Sequence, residues 1–258
     1  MNNQTVGFIG GGRITRIFLE GWTRAGKLPA SIVVADPNPE VLTKLKTRFP
    51  GITTTSDNTQ AAGQNLVFLA VHPPAMAGTV EGIKSALKPD TLVVSLAPKF
   101  TLGKLSSLLG GFGRIARVIP NAPSVMGLGY NPIYFAPVLS SAEKQGIMDL
   151  LTLLGECPEV AEEKLEGYAI LSAMGPTYLW FQLETLRELA GTFGMSEAEI
   201  APALKRMVCG GTRTLLESGL SPAEVMDLVP VKPLGEMEAQ VVEFYRTRLP
   251  AIYQKIKP

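Results

Sequence analysis

The sequence predicts an α/β fold in which the N-terminal half builds a parallel sheet and the C-terminal part is helical throughout. Two observations carry this. Short runs rich in valine, leucine and isoleucine recur through the first half, at residues 6–9, 32–35, 66–71, 91–96 and 115–119. Their unbroken apolar character suits strands covered on both faces, as in a parallel sheet. Beyond about residue 162 such runs vanish, and helix start and stop signals take their place.

The elements follow in order. After the opening strand, Ile14, Ile17, Phe18, Trp22 and Ala25 recur at helical spacing and predict a helix that stops near Gly26. The run from Ile32 to Ala35 closes on Asp36, and Pro37 and Pro39 punctuate the chain before a Val41/Leu42/Leu45 stripe. This is a βαβ unit of ordinary length. The next three strands are separated by weakly helical or loop segments. A weaker strand is expected over residues 133–136, and Ser140 with Glu143 forms the capping-box pattern of a helix that stops at Gly155. In the second half, Gly175-Pro176 opens a helix whose residues Tyr178 to Phe181, Leu183, Leu186 and Leu189 are apolar around much of its circumference. Ser196 with Glu199, and Ser221 with Glu224, start two further helices, with Gly219 as a stop between them. The sequence thus divides into residues 1–158 and 159–258.

The 258 residues include 46% hydrophobic side chains, enough for a substantial core in one large or two modest domains. A formal charge of +1 from 24 basic and 23 acidic groups supplies neither a nucleic-acid stripe nor an acidic tail. No apolar run approaches the roughly 20 residues that cross a bilayer, and no basic-then-apolar leader is evident, so a cytoplasmic protein is expected. Cys157 and Cys209 stand far apart and His72 is the sole histidine, which gives no metal-site spacing; buried, inert thiols are expected.

The stretch from Val6 to Thr15, VGFIGGGRIT, is where chemistry first enters. In a strand–turn–helix setting Gly10 permits a tight turn, and Gly12 lets the backbone approach a pyrophosphate. The helix beginning at Arg13 and Ile14 offers unpaired N–H groups at its positive end. The third small position of the fingerprint falls on Thr15, so the GxGxxG pattern is incomplete. Asp36, at the end of the second strand, is placed to accept from the adenosine ribose hydroxyls and to repel a 2′-phosphate. Together these predict a Rossmann dinucleotide-binding domain that takes NAD(P)H, with a lean to NADH; the alternative is a plain turn with Asp36 opening a loop. About 100 residues of greasy helix are too few to stand alone. A homodimer or higher homo-oligomer is therefore expected, with Trp180 and Phe181 packing on the first domain as the alternative.

With both halves read, the chain resembles the pyrroline-5-carboxylate reductase family. GFIGGGRI is similar to the family's strand and glycine turn, and FLAVHPP at residues 68–74 to its strand followed by Val-Lys-Pro. VVSLAP at 93–98 stands at its Ser-x-Ala-Ala-Gly segment, and RVIPNAP at 117–123 resembles Arg-x-Met-Pro-Asn-Thr-Pro. LSAMGPTY at 171–178 matches Leu-Ser-Gly-Ser-Gly-Pro-Ala-Tyr at five of eight positions, and LLESGLSPAEVMDLV follows in register. The resemblance implies a Rossmann domain, a C-terminal helical domain that forms an intertwined dimer and contributes to the substrate site, and NAD(P)H-dependent reduction of a cyclic imine carboxylate to proline. By position it gives Gly10, Gly12, Ile14 and Asp36 to the adenosine and pyrophosphate end. Ala70, His72 and Pro73 fall at the cofactor's middle, and Ser95, Ala97 and Asn121 near the nicotinamide.

The departures are specific. Where the family has Ser-Pro-Gly-Gly and a nearby threonine, this chain has Val231-Lys-Pro-Leu-Gly-Glu236. Pro98 and Lys99 replace a glycine-containing turn, Met174 replaces a serine, and His72 replaces a lysine. Ser172, Thr177 and Lys232 are the nearest hydrogen-bond donors by motif position for an anionic imine, Lys232 as a point charge toward a carboxylate. Alternatively, Lys232 is a solvated lysine; His72 is either an acid or a polar lining residue, Tyr178 either a core residue or a hydroxyl presented to the site, and Glu236 with Glu238 a wet helix face. Two readings remain open: a reductase of a pyrroline carboxylate or related imine, and a dinucleotide-binding homologue with a different substrate or a regulatory role.

Overall fold

A computed structural model describes residues 4–258. It contains two compact units, a first that runs to Met174 and includes Ile252–Pro258, and a second of Gly175–Ala251.

The first unit alternates strand and helix: β1 (Thr5–Ile9), α1 (Arg13–Arg24), β2 (Ser31–Ala35), α2 (Pro39–Arg48), β3 (Thr53–Thr55), α3 (Asn58–Ala62), β4 (Leu66–Leu69), α4 (Pro73–Ile83), β5 (Leu92–Ser95), α5 (Leu102–Leu108) and β6 (Ile115–Val118). Then come β7 (Gly129–Tyr130), β8 (Ile133–Phe135), α6 (Ser141–Leu151), β9 (Gly155–Glu156) and α7 (Leu165–Tyr168), which runs into a π-helical turn over Ala169–Ala173. The main sheet has the order β3-β2-β1-β4-β5-β6-β8, and β8 alone runs antiparallel. Sequence reading missed β3, because three consecutive threonines carry no apolar run; pairing with β2 makes them a strand.

Period-two alternation explains why these strands are apolar on both sides. Phe8 and Phe68 stack at 4.9 Å on one face and meet Phe18 and Trp22 of α1, while Ile9, Leu69, Met76, Val80 and Leu105 form a second core on the other. Trp22 also donates its indole N–H to the Leu150 carbonyl at 2.9 Å, which pins α1 to α6. At Gly7 the backbone of α3 comes so close that a Cβ would lie 2.0 Å from the Ala61 oxygen. Glycine there is a packing requirement.

The second unit holds α8 (Pro176–Thr192), α9 (Glu197–Glu217), α10 (Pro222–Asp227) and most of α11 (Gly235–Ile256). The two serine capping boxes are formed as the sequence predicts. The compact units divide between Met174 and Gly175, and segment 159–173 is hydrogen-bonded to the first unit through Glu162, Glu166 and Ser172. Cys157 is buried, and loss of solvation pushes its thiol up to about 11. Cys209 is exposed on α9, contrary to the expectation of two buried thiols.

Candidate functional site

The strand order creates the site. The chain builds β1, β2 and β3 outward in one direction and returns to place β4 on the other side of β1. At such a reversal the connections after β1 and β4 leave in opposite directions and a crevice opens beyond the strand ends. Register then aligns the residues: Ile9, Ala35, Leu69 and Ser95 form one row across the sheet. The next residues, Gly10, Asp36, Ala70 and Leu96, therefore emerge together at its C-terminal edge.

The turn after β1 is tightly specified. Gly10 has φ 103°, and a Cβ on it would sit 2.5 Å from the Ala70 carbonyl oxygen. Its own N–H donates to the Ala35 carbonyl at 2.8 Å. Thr15, an apparent departure from the glycine fingerprint, is fully buried and donates its hydroxyl to the Gly10 carbonyl at 2.6 Å. It closes the turn that the fingerprint's small residue would merely permit. Gly12 caps α1, and nothing lies within 4 Å of where its Cβ would be. The amides of the first turn have no partner inside the helix and lie at its positive end.

Beyond this turn lies a cleft of about 880 Å³ lined by Gly12, Arg13, Ile14, Ala70, His72, Pro73 and Ala97, all singled out from sequence. Sequence reasoning did not assign Val71, Leu96 and Pro98 on one wall, or Val41, Lys44 and Leu45 of α2 on another. The signal for the latter was present in the amphipathic stripe of α2. Arg16 and Arg48 complete the cationic side, where the Glu20 carboxylate accepts both Arg48 Nε at 2.9 Å and Nη2 at 3.2 Å. Those hydrogen bonds, and then the glutamate's charge, raise the Arg48 pKa. Arg13, Arg16 and Lys44 have no ion pair among the described residues.

The remaining predicted residues fall into three groups. Asp36 is absent from the cleft lining; its Oδ2 accepts from Gly11 N–H at 2.8 Å and its Oδ1 from Asn38 N–H at 2.9 Å. It builds the loop, with lone pairs left over for a ribose. Ser95 is fully buried, and its hydroxyl has no partner among the described residues. Asn121 is 7% exposed; its side chain accepts from Tyr130 N–H at 3.1 Å and donates to the Ser172 carbonyl at 3.2 Å. Ser172 sits in the π-helical turn and donates its hydroxyl to the Tyr168 carbonyl at 2.9 Å. Thr177 and Lys232 belong to the second unit, both exposed. There, Leu234 and Met237, within and beside the altered segment 231–236, are 78% and 50% exposed. Tyr178 meets Tyr245 edge-on at 5.6 Å, and burial raises its hydroxyl pKa. Glu236 and Glu238 are exposed, as expected of a wet helix face.

These residues fit a dinucleotide. The cleft volume lies within the few hundred to about 1,000 Å³ of ligand sites. A glycine with open space at its Cβ faces helix amides, and cations flank an apolar slot. Sheet topology and this turn define a dinucleotide-binding unit of the Rossmann type, and the relatives below are nicotinamide-dependent oxidoreductases. Comparison with known proteins agrees. A family described as "NADP oxidoreductase coenzyme F420-dependent" matches residues 5–99. Within this class the chain resembles the pyrroline-5-carboxylate reductases over most of its length. It is 28% identical over 229 residues to that enzyme of Escherichia coli, covering 88% of this chain and 84% of the relative. The solved pyrroline-5-carboxylate reductase of Coxiella burnetii superposes with a TM-score of 0.70 at 27% identity, over 99% of this chain and 95% of that one. The Plasmodium falciparum pyrroline carboxylate reductase with NADP bound shares the fold, with a TM-score of 0.75 at 20% identity over 99% and 95% of the two chains. Among the described residues no helix is long and apolar enough to cross a membrane.

Proposed function

We propose that this chain reduces 1-pyrroline-5-carboxylate, a cyclic imine, to proline with NAD(P)H. The observation that carries the reading is the coincidence of the switch-point cleft and its glycine turn with a resemblance to pyrroline-5-carboxylate reductases that covers 88% of the chain. When bound, the reduced nicotinamide supplies the hydride. The chain's own tasks are binding, orientation and exclusion of water. The turn Gly10–Gly12 and the first amides of α1 hold the pyrophosphate, with Arg13 and Ile14 beside it. Ala70, His72 and Pro73 line the middle, while Leu96, Ala97 and Pro98 wall off the nicotinamide end near Ser95 and Asn121. Asp36 retains lone pairs for the ribose and so leans the coenzyme toward NADH. Ser172, Thr177 and Lys232 serve the substrate: hydroxyl donors meet the imine nitrogen or carboxylate, and the ammonium pairs with the carboxylate. Ser172 must turn its hydroxyl away from Tyr168 to do so.

The functional division follows: a Rossmann domain for the coenzyme and a helical domain for substrate and dimerisation. No side chain of α8 or α11 is buried, and Trp180, Phe181 and Phe244 are 52%, 67% and 53% exposed. An apolar surface of this kind is covered by a second copy of the chain. A cytoplasmic location, where reduced coenzyme is available, is part of this proposal. The altered segment 231–236 favours a second reading, a dinucleotide-binding homologue that takes a different imine or carbonyl, or that regulates. The test is coenzyme oxidation by purified protein with pyrroline-5-carboxylate, for NADH and NADPH separately. Turnover with stoichiometric proline is expected; tight coenzyme binding without turnover would favour the second reading.

A further inference from the structure

The loop after β5 holds an unusual backbone. Lys99, with φ 75°, is the one non-glycine residue of positive φ among the described residues, in a conformation that side chains rarely adopt. Its N–H donates to Glu166 Oε1 at 3.1 Å, and the same oxygen accepts from Arg117 Nη2 at 2.5 Å. One helical turn earlier, Glu162 repeats the arrangement: its Oε1 accepts from Leu102 N–H at 2.6 Å and from Arg117 Nη1 at 2.9 Å. Arg117 and Glu166 are each 1% exposed. One guanidinium thus splits its fork between two carboxylates; Glu166 takes a backbone amide of the β5–α5 loop and Glu162 the first amide of α5.

Arg117 lies in β6 directly beside Ser95 of β5, so the clamp is referenced to the sheet itself. Its target adjoins the cleft, because Leu96, Ala97 and Pro98 form the wall immediately before Lys99. If Lys99 relaxed to negative φ, the chain would leave Pro98 in another direction and that wall would move. A glycine would adopt the turn unaided; a lysine needs it imposed.

We propose that Glu166, oriented by Arg117 and assisted by Glu162, is a positioning residue that holds Lys99 left-handed and thereby sets the wall against the nicotinamide. This rests on the reading of the cleft as a dinucleotide site. The chemistry is indirect, since neither carboxylate lines the cleft.

The experiment compares two ligands by titration calorimetry: NADH, and adenosine diphosphoribose, which is the coenzyme without its nicotinamide. Glu166→Ala is expected to weaken NADH by about 10-fold, the scale of a sub-ångström misplacement, and to leave adenosine diphosphoribose within about 2-fold. Adding Lys99→Gly to that variant is expected to restore most of the loss, because glycine removes the need for the clamp. Lys99→Val, which leaves the buried cluster intact and disfavours the turn by its branched side chain, should reproduce the selective loss and carries the test if Glu166→Ala does not fold. Equal weakening of both ligands, no weakening, or failure of Lys99→Gly to rescue would overturn the proposal. Wild-type protein that binds neither ligand would overturn the dinucleotide reading and the proposal with it.

Discussion

Two glycines of one turn are expected to fail in opposite ways. At Gly10, alanine meets both φ 103° and the Ala70 carbonyl oxygen 2.5 Å from its Cβ. The strained backbone costs about 1–3 kcal/mol and the overpacking a similar amount, roughly 2–6 kcal/mol together. For a chain of this size that lowers Tm by at least about 4 °C. At Gly12 the backbone is extended (φ −70°, ψ −161°), and nothing lies within 4 Å of the added Cβ. Gly12→Val should therefore cost no more than the loss of a favourable N-cap, about 1 kcal/mol, and lower the Tm of the coenzyme-free protein by no more than about 4 °C. Its side chain instead occupies the space a pyrophosphate needs. Coenzyme affinity should fall at least about 100-fold, a loss of about 2.8 kcal/mol. Scanning calorimetry without ligand and fluorescence titration with NADH and NADPH read the two effects separately. A Gly12→Val protein that binds coenzyme like the wild type would refute the assignment of this turn to phosphate. A Gly10→Ala protein of unchanged Tm would refute the steric account of the turn.

Other expectations follow from the same contacts. Thr15→Val, nearly isosteric, removes the buried hydroxyl's bond to the Gly10 carbonyl and should cost about 1–2 kcal/mol, or roughly 2–8 °C in Tm; an unchanged Tm would show the hydroxyl to be dispensable. Asp36→Ala frees two loop amides and should weaken both coenzymes about 10-fold by disordering the loop, with NADH losing more than NADPH. Equal losses would confine Asp36 to holding the loop. Phe181→Glu should convert a dimer to monomer by light scattering, and a wild-type protein that is already monomeric would remove the second-copy reading of the helical surface. The Cys157 thiol, raised by burial from its ordinary value near 9.0 to about 11, is protonated at neutral pH. Its contribution to stability is full below the unfolded value and is lost as pH rises from about 9 to about 11. Alkylation of Cys157 in native protein should accordingly be slow at pH 8 and accelerate above pH 9; fast labelling at pH 8 would place the thiol outside the core.

Sequence alone determined the strands whose residues are apolar on both faces, the glycine turn that joins β1 to α1, and the serine-capped helices. Each of these is written in consecutive residues, because strand burial, tight turns and helix caps are satisfied within a few positions of one another. Of the cleft-lining residues, Gly12 and the helix start at Arg13 and Ile14 were legible in the glycine turn itself, whereas Ala70, His72, Pro73 and Ala97 were reached only through the family resemblance. Tertiary structure alone decided what joins distant positions. It turned Thr53–Thr55 into an edge strand, brought Val41, Lys44 and Leu45 to the cleft, gave the Asp36 carboxylate to Gly11 and Asn38, and explained Thr15 by a carbonyl five residues away. It also kept segment 159–173 with the sheet through the Arg117 fork, a contact between residues 45 and 49 positions apart. The physical reason is that a carboxylate or guanidinium carries no periodicity in the sequence; its partner is chosen only when the sheet has fixed which strand ends stand side by side.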